Sequence, residues 1–115
     1  MNFKGLLQQR RSEYRDYRPI SCPLLGDKVI FNTEGFEHIL FRKRKKERSL
    51  IERVVRLTLL PFARLTISNA TGYEFRKHAD IQYWGLELAI GDARIRVVLK
   101  KVGNGELQFW SIMQI

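Results

Sequence analysis

The chain has two histidines in 115 residues, and one of them, His38, stands four residues before Arg42. On a helix that spacing puts both on one side. A wheel over residues 36–42 sets Phe36, Ile39 and Leu40 in a stripe opposite them. The run RKRKKER follows, in which Arg42, Lys43, Arg44, Lys45, Lys46 and Arg48 stand against Glu47, a local +5 out of a chain total of +9. Charge this dense suits a polyphosphate lying across it; a solvated charge run is the plain alternative, but it leaves the self-repulsion without an offset. An imidazole beside clustered cations has the parts for cleaving RNA without a metal. A base takes the 2′-OH proton, an acid protonates the leaving 5′-oxygen, and cations hold the crowded phosphate.

A second set of such groups lies in the C-terminal third, and its placement follows from turn chemistry. IQYWGLELAI, ARIRVVLKKV and ELQFWSIM read as strands, separated by Gly91-Asp92 and Gly103-Asn104-Gly105. Gly-X is the sequence of a type II′ hairpin and Asn-Gly of a type I′. With two-residue loops, Glu87 pairs with Arg96, Tyr83 and Phe109 with Lys100, and Val98 with Ser111. One face then collects Trp84, Leu86, Leu88, Ile95, Val97, Leu99, Trp110 and Ile112, an uncharged core face. The other collects Tyr83, Gly85, Glu87, Arg96, Val98, Lys100, Phe109 and Ser111.

On that second face, Glu87 or His38 suits base or acid, Arg96, Lys100 and Arg42 suit phosphate, and Tyr83 and Phe109 offer rings for base stacking. The bland counterparts are a Glu87–Arg96 surface ion pair, solubilising lysines, and two rings lying under the N-terminal helix. His78, in RKHAD, reads as an incidental surface residue.

The elements that must position these groups are legible in order. Residues 1–18 form an Arg-rich helix with Phe3, Leu6, Leu7, Tyr14 and Tyr17 toward one side, and RPISCPLLGD is a connecting loop. DKVIFN is a strand. Thr33, or else Asn32, caps the helix that follows, and Glu34 and Glu37 suit its dipole. Ser49 and Glu52 make a capping box for a helix that Pro61 ends, with Leu50, Val54 and Leu57 buried and Glu52, Arg53 and Arg56 outward. ARLTIS and GYEFRK read as two shorter strands.

Composition sets the limits. A length of 115 residues with 44% hydrophobic content predicts one domain (1–115), with residues 1–25 an N-terminal helix and connecting loop and 26–115 an α+β core. A pI near 10.1 points to nucleic acid before an anionic membrane surface. No membrane span is expected, and one cysteine, Cys22, fits a reducing, cytoplasmic setting. Cys22 has no CxxC or His neighbour, acidic residues are scattered, and no phosphate-loop, dinucleotide or hydrolase-elbow motif occurs. No cofactor and no metal is therefore expected.

A single helical histidine, a basic connector, a second helix ending in LLPFA, and a meander reading YWGLE, IRVVLK and VGNGELQFWSI together resemble the compact barnase–EndoU–colicin–RelE nuclease group (the BECR fold), in its short phage and bacterial branch. The resemblance covers roughly Val29 to Met113. It implies a metal-independent ribonuclease leaving a 2′,3′-cyclic phosphate, acting on tRNA or mRNA, often as a toxin with an acidic antitoxin or immunity partner. By position it implies His38 as the helical histidine, Arg42 and Arg96 as phosphate contacts, and Ser111 as the hydroxyl of the last strand. Gln108 stands where such a family shows a second histidine. The expectation is an α+β protein, two to three helices on one face of a four- to five-stranded antiparallel sheet, acting as a small endoribonuclease. The rival is a non-catalytic RNA-binding module, ribosome-associated or regulatory; a weaker one is a partner of membrane surfaces through the N-terminal helix.

Overall fold

A computed structural model describes residues 2–43 and 46–115. In chain order its elements are α1 (Phe3–Arg15), β1 (Ile20–Cys22), β2 (Asp27–Ile30), α2 (Thr33–Leu40), α3 (Leu50–Leu59), a 3-10 turn (Leu60–Phe62), α4 (Ala63–Asn69), β3 (Tyr73–His78), β4 (Ile81–Ile90), β5 (Ala93–Val102) and β6 (Leu107–Gln114). The strands form one open sheet in the order β1-β2-β6-β5-β4-β3. Every pairing is antiparallel except β2 with β6. The expected α+β class holds, with β1 added because part of the presumed connecting loop pairs with β2.

The β4–β5 hairpin has the expected register throughout, including Glu87↔Arg96, Tyr83↔Lys100 and Trp84↔Leu99. Gly91 takes φ +59°, as the first position of a type II′ turn requires. The β5–β6 hairpin keeps the expected pairing only in its far half, at Val97↔Ile112 and Val98↔Ser111. Nearer the turn, Leu99 pairs with Phe109 and Lys100 with Gln108. Gly103 has φ +53° and the Gly105 amide donates to the Val102 carbonyl at 2.8 Å, so the loop spans Gly103-Asn104-Gly105, three residues rather than two. The one-residue offset is absorbed by a bulge at Trp110, opposite the Val98–Leu99 step. Phe109 therefore points into the core and is fully buried, while Trp110 leaves it. This reverses the expected places of both rings.

ARLTIS is a helix, not a strand. Its buried residues are Ala63, Thr66 and Ile67, the i, i+3, i+4 set of a helical stripe. A six-residue run satisfies both periods, and packing against β4, β5 and β1 decides for the helix. The Thr66 hydroxyl donates to the Phe62 carbonyl at 2.9 Å, which satisfies it inside the core. In α3 the expected stripe is rotated as well. Leu57 is buried, but Leu50 and Ile51 are 53% and 76% exposed, and Arg53 and Arg56 turn inward.

Tyr14 ties α1 to the rest. Its ring meets Phe36 at 5.2 Å, Phe31 at 5.9 Å and Phe109 at 6.2 Å, and its hydroxyl donates to the Asn32 carbonyl at 2.7 Å. Asn32 caps α2 by accepting from the Gly35 amide, and its side-chain amide donates to Gln108 of β6. At this point α2 comes down onto the β6 backbone. A Cβ on Gly35 would lie 2.5 Å from the Phe109 carbonyl oxygen and 2.9 Å from the Phe109 ring. Gly35→Ala is therefore expected to destabilise the fold by about 1–3 kcal/mol in urea unfolding, although alanine is the better helix former. A neutral or stabilising result would show that α2 and β6 are not in such close contact.

Candidate functional site

The site is built where β6 lacks a second strand partner. β2 pairs with β6 only through Val29↔Leu107 and Ile30↔Gln108, and beyond that β6 has only β5 beside it. Helices α2 and α3 pack against β6 instead. Backbone groups on such an edge need partners, and Arg56 of α3 supplies one by donating to the Ile112 carbonyl at 3.3 Å and the Ser111 hydroxyl at 2.6 Å. Ser111 is almost fully buried, and its hydroxyl is taken up by Arg56 rather than turned to the groove beside His38. Burial, and then repulsion from Arg48, pushes the Arg56 guanidinium down to about 10, which still leaves it charged at neutral pH.

His38 projects from α2 over the bulged residue. Its ring stacks on the Trp110 indole at 4.2 Å between centroids and 18° between planes. Lys100 places its ammonium 3.8 Å from the same indole centroid, a cation–π contact. Arg48 donates to the His38 carbonyl at 3.0 Å and lies 3.3 Å from His38 Nε2. An arginine only donates, so Nε2 is the accepting nitrogen of this pair and the ring proton belongs on Nδ1. Burial, then the charges of Arg48, Arg56 and Lys100, lower the His38 pKa to about 4. The imidazole is neutral at physiological pH.

Beside it opens a groove of about 520 Å³ whose walls include His38, Trp110, Tyr83 and Phe41. Arg42 and Lys43 line it too, as do Glu34 and Glu37. His38 and Arg42 thus line one groove, but not from one helix face. Helix α2 ends at Leu40, Phe41 is extended, and a tight loop rather than a helix face brings Arg42 round. The loop is closed by a Phe41–Glu47 bridge, the Arg42 amide on the Lys46 carbonyl, and the Arg48 amide on the Leu40 carbonyl.

The basic run divides in function. Arg48 is turned in, 8% exposed. Arg42 and Arg48 both pair with Glu52, and Glu47 pairs with Arg53 at 2.7 Å. Lys43 and Lys46 remain exposed. Arg44 and Lys45 lie outside the described residues.

Two expected members sit elsewhere. Glu87 and Arg96 pair directly, each with a second partner, Arg94 at 3.4 Å from Glu87 and Glu74 at 3.9 Å from Arg96. The Arg96 hydrogen bond and charge hold the Glu87 carboxyl low, and Glu87 in turn raises Arg96. Each is four residues along its strand from Tyr83 or Lys100, about 13 Å at the rise of a β-strand. Glu87, with Arg94 and Glu74, borders a separate hollow of about 260 Å³ near β3. Phe109, expected to stack a base, is in the core against Tyr14 and Phe31. Tyr83 and Lys100 are on the site side, as expected.

Sequence reasoning missed Trp110, Phe41 and Arg56. The glycine on each side of Asn104 was a signal for the longer loop, and hence for the bulge. Nothing in the sequence marks Arg56 as inward.

The low His38 pKa has a consequence for stability. Between pH 6.5 and 4 the unfolded chain binds a proton at this position that the folded chain does not, so stability present at neutral pH declines as pH falls. The ring is half-buried, and solvent screening reduces the effect to about 1–2 kcal/mol. Urea unfolding at pH 7 and pH 4.5 is expected to show a larger loss for the native chain than for His38→Gln. Equal losses would mean that His38 titrates normally.

No protein-family model matches this chain, and no curated protein or solved structure does either. What the groove does is therefore argued from its own residues.

Proposed function

We propose that the groove binds RNA and cleaves it without a metal, by attack of a 2′-oxygen on the adjacent phosphorus. The observation that carries this reading is a neutral imidazole standing among Arg48, Arg56 and Lys100 at the edge of a groove with ring-bearing walls. After burial, which is the larger cause, the charges of Arg48, Arg56 and Lys100 hold the His38 pKa down, and these a phosphate would neutralise. An entering phosphodiester offsets their charge and raises the imidazole toward working pH, where it becomes an effective proton acceptor.

His38 then takes the 2′-OH proton, the 2′-oxygen bonds to phosphorus, and the 5′-oxygen departs with a proton from a groove cation. Lys100 is the candidate donor. The products are a 2′,3′-cyclic phosphate and a free 5′-OH. Arg42, Lys43 and Lys46 extend a positive track along which the rest of the strand lies. Tyr83 and Phe41 offer stacking surfaces to bases. The likeness to the barnase–EndoU–colicin–RelE group suggested His38 and Arg42 for these roles; Arg96 and Ser111, which it also implied, have no part in this assignment.

One observation favours a second reading, RNA binding without cleavage: His38 Nε2 is already engaged by Arg48. The two separate in one assay. Purified protein with total RNA in excess chelator is expected to yield fragments ending in cyclic phosphate. His38→Ala should lower the rate roughly 100-fold or more, the usual contribution of general acid–base catalysis. Lys100→Ala should lower both rate and affinity, while Arg96→Gln, on the separate ion-pair cluster, should matter little. Tight binding with intact RNA would favour the module, and a large effect of Arg96→Gln would move the site to the Glu87–Arg96 ion-pair cluster.

A further inference from the structure

β3 is the open edge of the sheet beyond β4, and all six of its residues are exposed. No proline or bulge interrupts it, and among the described residues no backbone hydrogen bond outside its pairing with β4 engages it. Natural edges of this kind are blunted or paired. On the face shared with the core, Tyr73 lies opposite Leu86 and Phe75 opposite Trp84, yet Tyr73 and Phe75 remain 49% and 47% exposed. The Phe75 and Trp84 rings meet at 5.3 Å, the margin of an aromatic surface that stops at the sheet edge. Glu74 and Arg76 point to the other face, opposite Gly85 and Tyr83.

We infer that β3 pairs with β3 of a second copy of this chain, antiparallel and centred on Phe75, making one twelve-stranded sheet. Charge selects the partner and the register. A two-fold axis perpendicular to the sheet keeps like faces together, so it must pass through a residue of β3 opposite its own copy. Centring on Phe75 sets Phe75 against Phe75, Glu74 against Arg76 twice, and Tyr73 against Lys77 twice. The apolar face becomes a continuous four-ring cluster of Phe75 and Trp84 from both copies, and the other face gains two opposite-charge pairs. Centring on Arg76 would oppose two arginines and set Phe75 against Lys77. Centring on Glu74 would oppose two glutamates. Only the Phe75 register is complementary in both charge and apolarity. The two His38 grooves would open on the sheet at symmetric positions, but the pairing does not depend on what they do.

Sedimentation of the full chain over a wide concentration range is expected to approach twice 13.6 kDa at the upper end. Glu74→Arg alone and Arg76→Glu alone should each weaken association at least about tenfold, since each opposes like charges across the new ladder. The double variant E74R/R76E restores opposite pairs and should recover it, a rescue that mere disturbance of β3 would not give. Register is tested by trapping. Facing Cα atoms of an antiparallel pair lie ~5.5 Å apart, within disulfide reach, so Phe75→Cys should form a covalent dimer under mild oxidation. Lys77→Cys, offset from its own copy by four residues or ~13 Å, should not. Cys22 is fully buried and does not compete. A monomer at every concentration, a double variant no better than the singles, or equal trapping at both cysteines would overturn the pairing.

Discussion

The structure depends on one constraint, the unequal pairing of β6. On one side β5 accompanies it from Gln108 to Gln114, with the bulge at Trp110; on the other β2 leaves after two residue pairs. The bare backbone beyond Gln108 has to be covered by something other than a strand. Helices α2 and α3 do this, and in doing so they bring His38, Arg48 and Arg56 against the sheet. The close seat of Gly35 on Phe109 makes the approach possible, and the Asn32–Gln108 contact ties the start of α2 to the same strand. Site and fold therefore share their contacts.

The bulge at Trp110 is the second half of the same arrangement. With one residue fewer, the indole would enter the core and the phenyl would face out. The extra residue exchanges them, so the core receives the ring that fits beneath α1, and the groove receives a flat indole that holds an imidazole and an ammonium at once. Bulges often re-aim a side chain beside a functional surface, and this one re-aims the residue on which His38 rests.

Electrostatics set the character of the groove. A chain of net +9 carries its densest charge in the loop after α2, yet that charge is partly answered within the chain by Glu52 and Glu47. Arg48 and Arg56, turned inward, act on His38 and the β6 edge rather than on solvent. Glu87 and Arg96 neutralise each other about 13 Å away along the strands. What is left facing the groove is a mixed lining of two cations, two carboxylates and the rings of His38, Phe41, Tyr83 and Trp110.

The sequence by itself determined the elements whose signals are local. The capping residue Ser49, the glycine of the β4–β5 turn, the stripe Phe36–Ile39–Leu40 and the alternation in β5 each report on neighbours a few residues away, and each is found in the structure; for α2 the choice between Thr33 and Asn32 fell to Asn32. Only the tertiary structure decided the rest, because the competing local options differed by too little. ARLTIS fits both periods until β4 and β5 offer a surface to pack on. The GNG loop permits two or three residues until Phe109 finds its place against Tyr14. In α3, Arg56 turns inward because the β6 edge opposite it offers the Ser111 hydroxyl and the Ile112 carbonyl, which an arginine satisfies and an aliphatic side chain does not, while Arg53 is held by the Arg48 carbonyl, Glu47 and the Phe3 ring.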